Sequence, residues 1–459
     1  MINFIYTIFA FVIAISVLVV VHEFGHYWVA RRMGVKVLRF SLGFGKPLWI
    51  RRFGRDKTEW VVAAIPLGGY VKMLDEHEGK VAKRDLARAF NRQSIPRRMA
   101  IVLAGPLFNF IFAILAYSIL FMAGVDGIRP LVGQVVPNSL AQHAGFQSGD
   151  ELLAVDDYKI ESWDQRRLYL YEKALDRATV RFTVNDKNGL KQERMLDLST
   201  LSAADVGAGL LERQIGLFPM LPEPEPVIGS LEKGGVAAQA GIEIGDRIVG
   251  IDGRAVTTWQ AVVAAISTRA GEAVMVRVER NGVTQEFRVT PQAVETGGGE
   301  KASKKIGRIG VGVQRPELPA DMRVRVRQTP FAALAEGIDT TWLMSSLTLK
   351  MLAKMLLLEV STETISGPLT IAQYAGASAQ IGFDRFIQFL AVVSISLGVL
   401  NLLPVPVLDG GHLLFYTIEA IRGRPLSDAM LHWGQQIGIV LLVALMALAF
   451  YNDFTRLLH

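Results

Sequence analysis

The segment FIYTIFAFVIAISVLVVVHEFGH, residues 4–26, decides the fold because an uncharged apolar run passes without a break into a metal-binding pattern. On a helix, the pattern His-Glu-x-x-His places His22 and His26 one turn apart on one face, with Glu23 beside them. Two imidazoles are typical zinc ligands, and the carboxylate is the base that hydrolysis needs. The stretch therefore predicts a zinc hydrolase site at membrane depth, and a chance match on an interfacial helix is the alternative.

Composition places the chain among membrane proteins and narrows its chemistry. The sequence has 459 residues, 51% of them hydrophobic, and it contains no cysteine. The mean hydropathy of +0.31 is too high for an ordinary soluble protein. Without cysteine, disulfides, thiolate zinc sites and thiol catalysis are excluded, so any metal must be held by histidine and carboxylate side chains.

Four apolar runs are long enough to cross a bilayer, which takes about 20 residues. They lie at 4–21, within 99–125, within 386–408 and within 429–452. The first run lacks a positively charged start and a small-residue cleavage site before His22, so we interpret it as a retained anchor and not as a signal peptide. The predicted fold class is a polytopic α-helical membrane protein with four transmembrane helices.

Charge sets the predicted direction of these helices. Residues 31–98 carry 17 Lys and Arg against 6 Asp and Glu. Basic loops beside membrane spans lie in the cytoplasm and contact anionic lipid of the bilayer. Both termini and residues of about 126–385 are then expected on the periplasmic side. Nucleic-acid binding is the alternative for such a basic stretch, and we reject it because no supporting motif accompanies the charge.

The segment 342–360, WLMSSLTLKMLAKMLLLEV, is a competing candidate for a fifth span. Lys350, Lys354 and Glu359 interrupt it, so its uncharged stretches are too short to cross a bilayer. We interpret it as an amphipathic helix that lies on the outer membrane surface or against the other helices, within a helical region at 316–385. A fifth span would reverse the direction of the next helix. It would then place the motif at 401–412, described next, on the wrong side of the membrane for a shared site with His22 and His26.

That second motif supplies a third metal ligand. Residues 401–412 read NLLPVPVLDGGH, and Asp409 is the first charge after the third apolar run. The predicted topology brings Asp409 to the same inner depth of the membrane as the two histidines. Two histidines and one aspartate fit a catalytic zinc, which keeps three protein ligands and one open position. The alternative for Asp409 is a place in an Asp-Gly-Gly turn.

An internal repeat occupies the segment between the second and third runs. AGFQSGD at 144–150 aligns with AGIEIGD at 240–246, an offset of 96 residues. Alternating apolar residues follow each copy and predict two β-rich domains, at 126–221 and 222–315, inserted between transmembrane helices 2 and 3. We call these ranges the first repeat and the second repeat.

The AGxxxGD spacing resembles bacterial PDZ domains, here in tandem. Such domains can accept a peptide end as an added strand, and two copies that bind no peptide are the alternative. PEPEP at 222–226 predicts a stiff linker, and GGGEKASKK at 297–305 predicts a flexible loop.

The two metal motifs together resemble the site-2 protease family of zinc intramembrane proteases. HEFGH lies in a first membrane helix and NLLPVPVLDGG in a third, and GPLFNF at 105–110 fits the second. The likeness extends over essentially the whole chain, with no departure at the ligand positions. It implies a multi-pass enzyme of the bacterial inner membrane that holds Zn²⁺ on His22, His26 and Asp409, with Glu23 as its catalytic base.

The resemblance also implies the substrates. They would be single-pass membrane proteins cut within or near the bilayer, among them a truncated anti-sigma factor in envelope-stress signalling, and remnant signal peptides. The tandem outer domains would act as a size filter that excludes substrates with a bulky outer domain.

Substrate handling requires further residues, because a membrane helix hides its carbonyls in its own hydrogen bonds and must unwind before attack. PLGGYVKM at 66–73 predicts a membrane-dipping β element in which Gly68 and Gly69 offer an edge strand to the substrate. An ordinary amphipathic cytoplasmic hairpin is the alternative. Asn109 and Asn401 are candidate amide donors to the oxyanion or the substrate backbone, and structural bonds between helices are their alternative.

Two other functions stay open from the sequence. One is a membrane-anchored PDZ scaffold without activity, which the intact ligand set and Glu23 disfavour. The other is a membrane zinc protease that acts on soluble or surface peptides.

Overall fold

Two compact units make up the chain. The computed structural model describes residues 2–203, 206, 214–296, 304–314 and 317–458. The first unit comprises residues 1–218 and 324–459, which hold the long helices and nearly all of the first repeat, and the second comprises residues 219–323, which hold the second repeat.

Long helices dominate the first unit. In chain order, the α-helices of the described residues are α1 (Ile2–Arg32), α2 (Ile95–Ala123), α3 (Leu140–His143), α4 (Arg167–Leu175), α5 (Val236–Gln239), α6 (Trp259–Ser267), α7 (Pro330–Leu356), α8 (Pro368–Ile381), α9 (Phe383–Asn401), α10 (Asp409–Arg422) and α11 (Asp428–Leu458). Four of them, α1, α2, α9 and α11, are long and apolar enough to cross a membrane. The prediction of four such helices is confirmed.

The end of the third span differs from the prediction. Helix α9 ends at Asn401, and Pro404 and Pro406 follow, because proline cannot continue a regular helix. The predicted range 386–408 is therefore too long at its end. Asp409 then begins α10, a helix that the sequence analysis did not predict.

The predicted amphipathic segment at 342–360 belongs to α7, which begins earlier, at Pro330, and ends at Leu356. Its buried residues are small, namely Ala333, Gly337 and Thr341. A Cβ atom added at Gly337 would lie 2.8 Å from Ser118 Oγ of α2. Helix α7 thus packs closely against α2, which is one of the two placements that the sequence predicted.

Strands occur in the basic loop and in both repeats. In chain order, the strands of the described residues are β1 (Val37–Phe53), β2 (Thr58–Met73), β3 (Val125–Ile128), β4 (Val132–Val135), β5 (Glu151–Val155), β6 (Tyr158–Lys159), β7 (Thr179–Asn185), β8 (Lys191–Asp197), β9 (Leu217–Pro219), β10 (Ile228–Leu231), β11 (Arg247–Ile251), β12 (Arg254–Ala255), β13 (Val274–Arg280), β14 (Val283–Val289), β15 (Gln292–Thr296), β16 (Lys304–Arg308), β17 (Val311–Val313) and β18 (Arg323–Val326).

The basic loop contains a hairpin, β1 and β2, that folds back on itself. Ser41 pairs with Tyr70 and also with Val61, so the first half of β1 lies between the two halves of β2. Residues 47–53 of β1 then form one outer edge of this small sheet, and residues 69–73 of β2 form the other. The β element predicted at 66–73 is confirmed as a strand, and it is an edge strand.

The two repeats share one strand order. The sheet of the first repeat runs β6-β5-β7-β8, and that of the second runs β12-β11-β13-β14. The first glycine of each AGxxxGD motif, Gly145 or Gly241, has a φ of 84° or 94°. The second glycine, Gly149 or Gly245, has a φ of 94° or 96°. Glycine adopts this left-handed conformation without strain, which explains why the motif recurs. The prediction of a duplicated β-rich module is confirmed.

The aspartate of the same motif is buried in both repeats. In the second repeat, Asp246 accepts hydrogen bonds from Arg280 Nε at 2.7 Å and from the Glu243 amide at 2.9 Å. In the first, Arg194 Nε lies 3.9 Å from Asp150, too far for a hydrogen bond. Burial raises the pKa of Asp246, but the hydrogen bonds and charge of Arg280 together with the Glu243 amide outweigh it, so the pKa lies below its ordinary value.

The first repeat is attached to α7 by polar and apolar contacts. Glu172 of α4 accepts hydrogen bonds from Ser346 Oγ at 2.6 Å and from Lys350 Nζ at 3.0 Å. Three apolar side chains of α7 pack against the core of the first repeat, namely Leu347, Met351 and Met355. Through α7, the first repeat is therefore held on the same unit as α2.

The two predicted connections have different outcomes. The segment 222–226 contains no helix or strand, as its five-residue Pro-Glu pattern predicts. The flexible loop predicted at 297–305 lies largely outside the described residues.

Candidate metal centre

Three side chains from distant segments meet between α1 and the start of α10. His22 Nε2 lies 3.2 Å from Asp409 Oδ2, and His26 Nε2 lies 3.5 Å from the same oxygen. The two Nε2 atoms are 3.2 Å apart. One donor atom from each residue thus lies within 4.8 Å of the other two. The structure brings together the three ligands that the sequence predicted from two motifs.

The donor set fits a zinc ion. Asp409 Oδ2 is buried, and among the described residues no hydrogen bond satisfies it. A buried carboxylate oxygen without a partner is costly, and a divalent cation between the imidazoles would compensate its charge. Two imidazole nitrogens and one carboxylate oxygen are ligands that zinc accepts, with a fourth position left open.

Glycines allow α1 and α2 to approach closely at this centre. A Cβ atom added at Gly25 would lie 2.4 Å from the Ala104 carbonyl oxygen. One added at Gly105 would lie 2.3 Å from His26 Nε2 and 2.7 Å from His22 Cε1. Real Cβ atoms do not come this close, so both positions require glycine. Gly105 of α2 therefore lies directly against both imidazole rings.

The start of α10 lies directly against the segment that precedes it. Added Cβ atoms at Gly410 and Gly411 would lie 2.2 Å from the Leu403 carbonyl oxygen and 2.3 Å from that of Val405. The Asp-Gly-Gly sequence thus lets α10 begin directly against the preceding proline-containing segment.

Further along α10, a half-buried ion pair joins the helix to α2. Arg98 donates to Glu419 at 2.7 Å, and its guanidinium also lies 4.7 Å from the centre of the Tyr416 ring. These contacts fix the helix whose first residue is Asp409.

Glu23 lies beside the edge strand of the hairpin. A Cβ atom added at Gly69 would lie 2.8 Å from Val19 Cγ1 and 3.4 Å from Glu23 Cγ. The backbone of Val71, in the same strand, is also near the Glu23 carboxylate. Gly68 has a φ of 117°, which favours glycine. The predicted base and the predicted substrate strand therefore lie side by side.

The two predicted amide donors occupy different places. Asn109 is fully buried on α2, and its Nδ2 lies 3.2 Å from His22 Nδ1. Its backbone carbonyl accepts a hydrogen bond from Ser394 Oγ of α9 at 2.9 Å. Asn401 is the last residue of α9 and is partly exposed. The first amide contacts a candidate ligand, and the second lies at the start of the segment that leads to Asp409.

Two contacts around this centre were not predicted from the sequence. His26 Nδ1 lies 2.8 Å from the Ile101 carbonyl, and a backbone carbonyl leaves no signal in a sequence. Arg98 and Glu419 are separated by 321 positions, and each is one charge among many. A charged residue at the very start of an apolar run is the one signal that points to Arg98.

An HExxH helix, a carboxylate that completes the ligand set and four helices able to span a membrane define a membrane-embedded zinc metalloprotease. Comparison with known proteins agrees: the chain belongs to peptidase family M50, whose sequence profile matches residues 10–445. The resemblance to site-2 proteases is thereby confirmed.

Individual relatives match over their full length. The chain is 42% identical over 457 residues to the regulator of sigma-E protease RseP of Salmonella typhimurium, and the alignment covers 100% of both chains. It is 42% identical over 456 residues to a protein of Neisseria meningitidis serogroup A named as a zinc metalloprotease, covering 99% of this chain and 100% of that one. A solved PDZ domain of the SdrC-like protein from Listeria monocytogenes is 20% identical and covers 21% of this chain and 93% of its own, but its TM-score of 0.16 carries no conclusion about the fold.

Proposed function

We propose that this protein is an endopeptidase that cuts single-pass membrane proteins within or near the bilayer. One observation carries the proposal: His22 and His26 lie on a helix long and apolar enough to cross a membrane, and Asp409 meets them there. A hydrolytic centre at that depth meets peptide bonds that are shielded from water, which soluble proteases do not reach.

The roles of the residues follow from their positions. His22, His26 and Asp409 hold the ion, which when bound polarises the scissile carbonyl and lowers the pKa of water. Glu23 accepts a proton from the attacking water and passes it to the leaving amine. Asn401, at the end of α9, is placed to donate from its amide to the substrate backbone or to the developing oxyanion.

Residues 69–73 at the edge of the hairpin bind the unwound substrate as an added strand. This edge lies beside Glu23, so a strand paired with it would pass close to the base. Tyr70→Pro puts a proline, which lacks a backbone N–H, into this edge strand and should slow cleavage of a membrane substrate. Trp49→Pro, on the opposite edge of the same sheet, is the matched control and should slow it less. Equal rates for both variants would contradict the strand role.

The expected setting is the bacterial inner membrane, with the basic loop in the cytoplasm and both termini and the two repeats, as PDZ-like domains, in the periplasm. The name of the Salmonella relative, a regulator of sigma-E protease, supports a truncated anti-sigma factor as one substrate. The resemblance to site-2 proteases adds remnant signal peptides. The repeats then act as a size filter for substrates that keep a bulky outer domain.

The proposal is tested with Glu23→Gln and a single-pass substrate in detergent or liposomes. The variant should fold and bind zinc as the wild type does, while cleavage falls by about 10²–10⁴-fold. Mass spectrometry should place the scissile bonds of the wild-type reaction within the membrane segment.

Other outcomes separate the alternatives. Scissile bonds confined to aqueous loops would favour a membrane protease for soluble peptides. Wild-type protein that binds zinc but cuts none of the membrane substrates would favour a scaffold without activity.

A further inference from the structure

The two candidate histidine ligands differ in what lies behind them. The Nε2 atoms of His22 and His26 face each other and Asp409 Oδ2, so Nε2 is the donor atom of both rings. A neutral imidazole that binds a metal through Nε2 carries its proton on Nδ1. Each ring therefore needs a hydrogen-bond acceptor at Nδ1.

His26 has such an acceptor. Its Nδ1 lies 2.8 Å from the Ile101 carbonyl oxygen of α2, so the Nδ1–H donates to the backbone. This bond fixes both the tautomer and the orientation of the ring.

His22 meets the side chain of Asn109 at the corresponding place. The Asn109 amide group is fully buried, and one of its two ends lies 3.2 Å from His22 Nδ1. The two ends of an amide are told apart by their hydrogen-bond partners. With the amide nitrogen toward His22, two donors face each other, and the Asn109 oxygen stays buried without a partner. A half-turn of the amide removes the pair of facing donors, because Oδ1 then accepts from His22 Nδ1–H.

We infer that Asn109 is a positioning residue for the metal centre: its amide oxygen accepts from His22 Nδ1–H and so orients the Nε2 lone pair toward the ion. This inference rests on the proposed ligand role of His22. It assigns Asn109 a role different from that of a donor to the oxyanion, which would require the amide nitrogen to face the substrate. The backbone of Asn109 is itself fixed by the hydrogen bond from Ser394 Oγ.

The test compares two substitutions that separate these roles. Asn109→Leu removes the acceptor with a similar volume and should weaken zinc binding by about 10–100-fold, the usual effect of losing such a partner. Asn109→Asp keeps an acceptor and should hold zinc within about threefold of the wild-type affinity. Zinc dissociation constants are measured on the full-length protein in detergent by competition with a chromophoric chelator.

Controls exclude a general loss of folding. Ser118→Ala removes another buried polar side chain of α2, one that bonds only to the Ile114 carbonyl of its own helix, and should leave zinc affinity unchanged. Thermal unfolding of the zinc-free forms shows whether each variant is folded, and Asn109→Ala replaces Asn109→Leu if the larger side chain prevents folding.

The outcomes are distinct. Wild-type affinity in Asn109→Leu, or loss of affinity in Asn109→Asp equal to that in Asn109→Leu, overturns the inference and leaves the proposed function intact. Wild-type protein that binds no zinc, or zinc binding that survives His22→Phe, contradicts the proposed ligand role itself.

Discussion

The metal centre and the second repeat are stabilised in opposite ways. The centre joins His22 and Asp409, which are separated by almost the whole chain, and it depends on glycines that let helices touch. The second repeat lies within residues 219–323, with its own apolar core and a buried pair of Asp246 and Arg280. The repeat is therefore specified by its own segment, whereas the centre forms only when distant helices pack correctly.

The largest expected effect on activity comes from Gly105→Ala, which perturbs the metal centre and not the second repeat. The added methyl group would overlap His26 Nε2, so the two imidazoles must move apart. Cleavage should fall by at least about 100-fold, because a misplacement of about 1 Å has that cost, and bound zinc should fall with it. Hydrogen exchange of the second repeat should stay at the wild-type level.

Gly337→Ala is the matched control for this prediction. It also adds a methyl group in a tight contact with α2, but against Ser118 and not against a ligand. Zinc content should be retained. If both glycine variants lost zinc equally, the centre would depend on helix packing in general and not on the space at Gly105.

Asp246→Asn has the opposite target, because it destabilises the second repeat and not the metal centre. Losing the charge-assisted bonds from Arg280 should lower the free energy of opening of this repeat by about 1.5–3 kcal/mol near neutral pH. Hydrogen exchange of the full-length protein measures this free energy of opening. The zinc content should not change.

The pH dependence of this variant has a definite sign. The pKa of Asp246 lies below its ordinary value of about 3.9, so the carboxylate stabilises the folded state above that pH. The difference between wild type and Asp246→Asn should shrink as the pH falls through the folded pKa. A difference that grows on acidification would contradict this assignment.

The smallest effect is expected for Asp150→Asn in the first repeat. Its arginine partner, Arg194, is 3.9 Å away and makes no hydrogen bond, so the loss should be about 1 kcal/mol or less. Hydrogen exchange of the first repeat measures the change. A larger loss than for Asp246→Asn would reverse the ranking of the two repeats.

Short sequence patterns predicted those parts of the structure that are formed by residues close together in the chain. The spans, the duplicated module and the edge strand at 66–73 each rest on a periodicity or a motif within a few tens of residues. Asp409 is far from His22 in the sequence. It was predicted as a ligand only because the charges of the loops placed both residues at the same depth of the membrane.

The sequence could not predict features that depend on packing between distant segments. Helix α10 was missed because two glycines at its start argue against a helix, and their close contact with the Leu403 and Val405 carbonyls is invisible in the sequence. The half-buried pair of Arg98 and Glu419 was missed for the same reason. The position of Asn109 behind His22 likewise required the packing of α2 on α1.

The most direct test of the account is the zinc content of purified full-length protein and of Asp409→Ala, measured by atomic spectroscopy. Asp409 is the ligand that only the fold brings to the two histidines. The account predicts one zinc ion per wild-type chain and its loss in the variant, with the exchange pattern of the second repeat unchanged. Full retention of zinc by Asp409→Ala, at wild-type affinity, would contradict it.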